Sequence, residues 1–129
     1  MADLRNDFYT VKEKKKISDK EISVVIELNQ QHAIYSGHFP DQPIVPGVCQ
    51  IHIVKELLED LMGKKLNMIT GDNIKFTGMI IPTQSPIVNI DVNYQIKDSE
   101  IICDSKLFFG ETIFTKYKGK FKAVGEASS

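Results

Sequence analysis

The apolar residues of this chain follow a strand period in most places and a helix period in one. Between residues 88 and 96, apolar and polar side chains alternate strictly, which predicts a strand with one buried face. Other segments have strand-like composition, and short polar turns join some of them. The predicted strands cover residues 8–11, 22–28, 68–76, 88–96, 101–109 and 112–123.

One helix is predicted over residues 48–62. Gly63 stands where a C-terminal glycine would end it. Its apolar side follows the i, i+3, i+4 spacing and consists of Val54, Leu57, Leu58, Leu61 and Met62. Its polar side consists of His52, Lys55, Glu56 and Glu59.

The segment before the helix, residues 31–47, contains three prolines and two glycines, so we expect a stiff loop without helix or strand. The order of elements is two strands, this loop, one helix and then several strands. This order predicts a single α+β domain over residues 1–129, with the helix packed across one face of an antiparallel sheet.

Composition narrows the class of protein. Hydrophobic residues make up 42% and charged residues 26%, and 16 basic against 17 acidic residues give a net charge of −1. A net charge this close to zero creates no overall positive potential that would attract nucleic acid or an anionic membrane. No apolar run reaches the roughly 18 residues of a transmembrane helix, and residues 1–16 do not resemble a secretory signal. We therefore expect a cytoplasmic protein with two reduced thiols, Cys49 and Cys103.

The candidate chemistry lies in residues 37–48, a proline-rich loop that carries a histidine into the start of the helix. The first amides of a helix lack internal partners, so Gly47 and Val48 can donate to an oxygen that gains negative charge. His38 is a natural general base near neutral pH. A base beside such donors predicts proton abstraction next to a carbonyl.

This segment resembles the active-site segment of hot-dog-fold 3-hydroxyacyl-(acyl carrier protein) dehydratases. Residues 71–76 and 81–82 resemble a later strand of that family, and residues 48–51 resemble its aryl-polyene-type sub-group. The positions that match the active-site motif are His38, Phe39, Pro40, Pro43, Pro46 and Gly47.

The resemblance implies a curved antiparallel sheet wrapped round one helix, with the active site between two copies in a homodimer or a larger assembly of dimers. It implies dehydration of a 3-hydroxyacyl thioester on acyl carrier protein in fatty acid or polyene biosynthesis, with His38 as base. Gly47 and Val48 would polarise the carbonyl, and Phe39, Ile44 and Phe76 would line the acyl tunnel. No metal or organic cofactor is expected, because the thioester already acidifies the α-proton.

One departure from the family leaves several interpretations open. The family's acidic residue lies at the position that His52 occupies here. His52, contributed by the partner subunit, could itself serve as the acid or hold the departing water, which is the interpretation we favour. Glu56, one turn later, could replace it. Otherwise the chain is a hot-dog thioesterase or a non-catalytic acyl-binding partner subunit.

Other motifs have simpler interpretations. Residues 40–46 could be a polyproline ligand, although this would not explain the histidine beside them. A zinc site could also form from His32, His38, Cys49 and His52. The sequence does not contain the further ligands that the known zinc-binding motifs have at fixed spacings. We expect Cys49 to be a small buried residue and His32 to face solvent. Four lysines alternate along the last strand as either a solvated face or a docking surface for an acidic carrier protein: Lys116, Lys118, Lys120 and Lys122.

Overall fold

The computed structural model describes residues 3–37 and 43–125, which form one six-stranded sheet and two helices. All neighbouring strands are antiparallel, in the order β1-β2-β4-β5-β6-β3. The predicted α+β architecture is therefore confirmed. The elements are β1 (Tyr9–Ser18), β2 (Glu21–Leu28), α1 (Ile34–Gly37), α2 (Gly47–Met62), β3 (Leu66–Phe76), β4 (Ile87–Lys97), β5 (Glu100–Phe109) and β6 (Thr112–Ala123).

The long helix α2 lies where its apolar spacing predicts. Val54 and Leu58 are fully buried in the same core as residues of the central strands. Gly63 ends the helix in the left-handed conformation, with φ of 67°, and its N–H donates to the Glu59 carbonyl oxygen. A glycine accepts this conformation without the steric cost that other residues meet.

The prediction that residues 31–47 contain no helix is wrong in one place. Residues Ile34–Gly37 form the single-turn helix α1. The prolines of this segment begin only at residue 40, so the backbone amides before them remain able to close a helical turn.

The polar side of α2 is also not a solvated face. Glu56 and Glu59 are 1% and 7% exposed, because the N-terminal segment packs over them. The Leu4 amide donates to Glu56 Oε2 at 2.8 Å, and Arg5 Nη2 donates to Glu59 Oε1 at 2.9 Å. The Leu66 amide donates to the other oxygen of Glu59 at 2.8 Å. Helix α2 is therefore covered by the sheet on one side and by the chain's own N-terminal segment on another.

Strand β6 has the two faces that its alternation predicts. Tyr117 and Phe121 are fully buried against the core, whereas Lys116 and Lys118 are exposed on the outer face of the sheet. Gly119 lies on the buried face between the two aromatic residues. A Cβ there would meet the Thr70 carbonyl oxygen and the Tyr117 ring, each at 2.6 Å.

Replacing Gly119 with alanine is expected to lower the free energy of unfolding by about 1–3 kcal/mol, measured by denaturant titration. The obstructing oxygen belongs to the backbone of β3 and cannot move without disturbing that strand. Gly78→Ala is the matched control, because its Cβ would meet no atom closer than 3.6 Å. Equal stability of the two variants would contradict the steric argument.

Candidate active site

A largely apolar cleft of about 590 Å³ lies between the first half of α2 and strand β3. Several of its walls are large apolar side chains that the single chain leaves open to solvent. Val48 is 65% exposed and Phe76 is 53% exposed. The lining residues are Gly47, Val48, Ile51, His52, Lys55, Met68, Ile74 and Phe76.

The start of α2 opens into this cleft with unpaired amide donors. The Pro46 carbonyl oxygen accepts from the Cys49 and Gln50 amides at 3.0 and 3.2 Å. The Gly47 and Val48 amides, which precede them, donate to no backbone oxygen within residues 3–37 and 43–125. These donors stand at the positive end of the helix, where an oxygen acquiring negative charge is stabilised.

A buried glutamine fixes the position of this helix start. Gln50 is 3% exposed, and its Nε2 donates to the Val45 carbonyl oxygen at 3.3 Å. The Thr115 hydroxyl donates to Gln50 Oε1, and the Val45 amide donates to the Ile80 carbonyl oxygen at 2.9 Å. Helix and sheet are thereby tied together, so the amides at the cleft are held in place before a ligand arrives.

Gly47 allows an aromatic wall to approach the amides. A Cβ on Gly47 would lie 2.6 Å from Cζ of Phe76. Any side chain at this position would push the ring away from the start of the helix and reshape the cleft. The glycine therefore permits this close contact between α2 and the Phe76 ring.

His52 is the titratable aromatic group of the cleft, and it is backed by a buried carboxylate. Its Nε2 lies 3.2 Å from Oε2 of Glu56, and its side chain is 11% exposed. Burial lowers the pKa of His52, and the Lys55 ammonium acts in the same direction. Burial raises the pKa of Glu56, while the hydrogen bond from the Leu4 amide opposes that rise. The pair therefore combines a neutral imidazole with a carboxyl group shielded from water.

The structure brings together four residues that the sequence indicated: Gly47, Val48, His52 and Phe76. Ile44 is half-buried but does not line the cleft. Glu56 lies behind His52 and does not line it either. His38 and Phe39 lie outside the described residues.

Four lining residues were missed by the sequence analysis. Ile51 and Lys55 follow Val48 and His52 at helical spacing, so the helix pattern alone could have indicated them. Met68 and Ile74 reach the cleft through the register of β3 against β6, which includes two bulges. Each bulge adds one residue, so their effects on the face cancel, and Met68 and Ile74 share a face as strand alternation over six residues also predicts. The sequence does not indicate that this face of β3 meets the start of α2.

His32 does not face solvent, and that prediction is wrong. Its Nε2 lies 3.1 Å from Asp7 Oδ2, and its Nδ1 accepts from the Ile34 amide at 3.1 Å. Its ring packs edge-on against Phe8, with centroids 5.2 Å apart. His32 thus joins the start of α1 to the N-terminal segment, a structural task that explains its partial burial.

The thiols have the environment expected of buried core residues. Cys49 is fully buried, as predicted, and burial raises the pKa of its thiol. Cys103 is also a buried free thiol, and burial raises its pKa to about 12. Across the described part of the chain, no group of three or more His, Cys, Asp or Glu side chains is arranged to hold a metal ion.

Strand β3 forms one edge of the sheet and has an unusually apolar exposed surface. Four of its large side chains are between 39% and 53% exposed: Met68, Ile69, Ile74 and Phe76. An exposed edge strand with large apolar side chains is a ready site for pairing with another chain. The cleft opens beside this same edge.

A second, polar groove of about 530 Å³ lies on the outer face of the sheet. Lys75, Lys116 and Lys106 line it and stand directly opposite one another on β3, β6 and β5. Like charges in register repel, so this row needs either solvent or an anionic partner. Acidic residues also line the groove, including Asp104, whose Oδ2 lies 3.8 Å from Lys118 Nζ.

In the part of the chain that the structure describes, no helix is both long and apolar enough to cross a membrane.

A family model described as ApeI-like, ApeI dehydratase, matches residues 13–106. The 3-hydroxyacyl-[acyl-carrier-protein] dehydratase FabZ of Histophilus somni (strain 2336) is 23% identical, in an alignment that covers 68% of this chain and 71% of that protein.

Solved structures share the fold. The dehydratase heterocomplex ApeI:P from Xenorhabdus doucetiae matches with a TM-score of 0.70 at 20% identity, covering 87% of this chain and 96% of that chain. A hypothetical thioesterase with coenzyme A from Streptococcus pneumoniae TIGR4 matches with a TM-score of 0.63 at 10% identity, covering 93% and 88%. These similarities confirm the hot-dog fold expected from the sequence.

Proposed function

Because the chain belongs to the ApeI-like dehydratase family, we propose that it removes water from a 3-hydroxyacyl thioester carried by acyl carrier protein. The product is the trans-2-enoyl thioester. The family match bears out the resemblance to these dehydratases, including the aryl-polyene-type sub-group. The observation that carries the proposal is the apolar cleft in which the Gly47 and Val48 amides and His52 share one wall.

The thioester carbonyl oxygen accepts from the Gly47 and Val48 amides, which stabilise the negative charge that develops when the α-proton leaves. His38 takes that proton as general base, a role implied by the family motif. The C–H bond electrons then form the double bond between the α- and β-carbons, and the hydroxyl on the β-carbon departs. It leaves as water by taking up the proton that His38 removed from the α-carbon, so His38 is regenerated and atoms and charge balance without a co-reactant.

In this proposal the clefts of two paired chains meet, and His52 of the partner copy handles the departing hydroxyl. Glu56 is buried and does not line the cleft, whereas His52 does. This supports His52, rather than Glu56, as the group that meets substrate. The lowered pKa of His52, caused by burial, favours a neutral ring that holds the departing water over a protonated acid.

Two copies of the chain build the complete site. The exposed apolar side chains of β3 and the cleft beside them support a pairing along this edge, which would bury Phe76 and Ile74 and close the acyl slot. We propose a homodimer or an assembly of such dimers as the active form.

Two other functions remain as alternatives with distinct signatures. A hot-dog thioesterase would hydrolyse the thioester, and the shared fold with the Streptococcus pneumoniae protein motivates that comparison. A non-catalytic partner subunit would bind acyl groups without reaction, and the histidine at the family's acidic position motivates it.

The proposal is tested by incubating the purified chain with a 3-hydroxyacyl thioester while following enoyl absorbance and free thiol together. Dehydration produces the enoyl signal without thiol. Release of thiol without the enoyl signal identifies a thioesterase. Binding of the acyl thioester without either signal identifies a non-catalytic partner subunit.

The lysines of the outer face provide a separate prediction about the carrier protein. If Lys116 and Lys118 steer an acidic carrier, raising salt about tenfold should slow turnover of the carrier-bound substrate several-fold, because screening weakens attraction between exposed charges. Turnover of a small thioester analogue should stay nearly constant. The double variant Lys116→Ala/Lys118→Ala should lose the salt dependence, whereas Lys12→Ala should keep it. Equal salt effects on both substrates would show that the lysines are only a solvated face.

A further inference from the structure

We infer that Glu56 is a positioning residue that holds the neutral His52 ring in the tautomer with its proton on Nε2, the nitrogen that lies 3.2 Å from Glu56 Oε2, so that the lone pair stays on Nδ1. The inference deepens the proposed function and rests on it for the role of His52. It concerns a carboxylate that neither touches the cleft nor belongs to the catalytic motif.

The first step is that Glu56 Oε2 is held in one place. Glu56 is 1% exposed. Its Oε2 accepts from the Leu4 amide at 2.8 Å and from Arg5 Nη1 at 3.4 Å. Arg5 Nη2 also donates to the Glu56 carbonyl oxygen at 3.1 Å, so the same guanidinium holds both backbone and side chain.

The second step concerns the direction of the proton between His52 and Glu56. Oε2 lies 3.2 Å from His52 Nε2 and already faces two groups that can only donate. Oε1 is buried and meets no hydrogen-bond partner at full hydrogen-bonding geometry among the described residues, although, besides burial, the nearby Asp3 carboxylate raises the pKa of Glu56 and the Tyr9 hydroxyl lowers it. A proton added to the carboxyl group therefore has its place on Oε1, and Oε2 remains an acceptor in either ionisation state. The proton of the contact belongs to His52 Nε2.

The third step links this tautomer to chemistry. In a neutral imidazole one nitrogen carries the proton and the other has a lone pair, so an Nε2–H leaves a lone pair on Nδ1. His52 also lines the cleft. Nδ1 would accept a hydrogen bond from the substrate hydroxyl or the departing water and orient it. Carboxylates that orient metal-ligating histidines contribute about 10- to 100-fold to activity, and we expect an effect of the lower size for this metal-free ring.

Glu59 provides the matched control on the same helix. It is also buried, it also pairs with Arg5, and it accepts from the Leu66 amide. Glu59→Gln therefore disturbs the same Arg5 network and a comparable buried carboxylate while leaving the contact between His52 and Glu56 in place.

The test is the ¹⁵N spectrum of histidine side chains in the whole chain at about pH 8, above the ordinary pKa of an imidazole. The chain has three histidines, so His32→Gln and His38→Gln variants assign the His52 signals. We expect the Nε2–H tautomer of His52 in the wild type and in Glu59→Gln. In Glu56→Gln the amide can donate to Nε2, so we expect a shift toward the Nδ1–H tautomer and a kcat about 10-fold lower with little change in KM.

A wild-type His52 in the Nδ1–H form overturns the inference without any variant, and so does an unchanged tautomer in Glu56→Gln. If Glu56→Gln does not fold, Glu56→Asp replaces it, because the shorter side chain withdraws the acceptor and should also shift the tautomer. The spectra require no turnover. Expected tautomers in a chain that makes no enoyl product would overturn the proposed function and leave the pairing of Glu56 with His52 intact.

Discussion

Replacing His38 with alanine should reduce the rate of dehydration about 10²- to 10⁴-fold, the range that a positioned general base contributes. The α-proton of a thioester is only weakly acidic in water, and the helix amides stabilise the resulting charge without removing the proton themselves. The loss should appear in kcat for carrier-bound and small thioester substrates alike, because both present the same α-carbon.

His32→Ala is the matched control for this loss. His32 shares the imidazole chemistry but pairs with Asp7 and packs on Phe8, away from the cleft. Its removal should lower stability and leave turnover per folded molecule near the wild-type value. Comparable losses in the two variants, or a His38→Ala protein of nearly normal rate, would show that another group is the base.

The second large effect concerns stability. Arg5→Met should lower the free energy of unfolding by about 3–5 kcal/mol, because it strips the cation from two buried carboxylates. Arg5 Nη1 lies 3.4 Å from Glu56 Oε2, and Nη2 lies 2.9 Å from Glu59 Oε1. Asp60 adds a further contact at 2.9 Å from the Arg5 Nε. Denaturant titration at neutral pH measures the loss.

The same variant should show a characteristic dependence on pH. Burial raises the pKa of Glu59, but the Leu66 amide and the Arg5 guanidinium outweigh it and lower the pKa below its ordinary value. The stabilisation from Arg5 is therefore present above the unfolded-state pKa and lost as pH falls. The deficit of Arg5→Met should shrink below about pH 4, where protonated carboxyl groups need no cation.

Lys12→Met is the control for removing a cation from an ion pair. Its Nζ lies 3.7 Å from Glu27 Oε1, and both side chains are about half exposed. Exposed pairs of this kind contribute about 0–1 kcal/mol. A loss for Arg5→Met no larger than that of Lys12→Met would mean that water reaches Glu56 and Glu59 despite their burial.

Most of the fold follows from patterns that are local in sequence. The alternation along residues 88–96 predicted β4 because side chains on successive strand residues face opposite sides. Val88, Ile90 and Val92 are buried as expected, whereas Ile96 at the end of the pattern is 55% exposed. Gly63 predicted the end of α2 because few other residues accept its positive φ. The buried polar side of α2 was not predictable in the same way. Arg5 and Glu56 are 51 residues apart, and helix spacing carries no information about a partner at that distance.

The same distinction between local patterns and long-range contacts applies to the candidate site. The amides of Gly47 and Val48 could be predicted because helix starts always leave donors unpaired. The place of Met68 and Ile74 in the cleft could not be predicted, because strand alternation puts them on one face but does not indicate that this face of β3 meets the start of α2. Glu56 was identified as a residue one turn from His52, but its burial behind that ring depends on the N-terminal segment packing over the helix.

The central claim, proton removal from the α-carbon in this cleft, is tested most directly by running the reaction in reverse. An enoyl thioester incubated with the protein in D₂O should yield a 3-hydroxyacyl thioester with deuterium on the α-carbon, detected by mass spectrometry. His38→Ala should abolish that incorporation. A wild-type protein that adds no deuterium there, or that releases the thiol instead, would contradict the account.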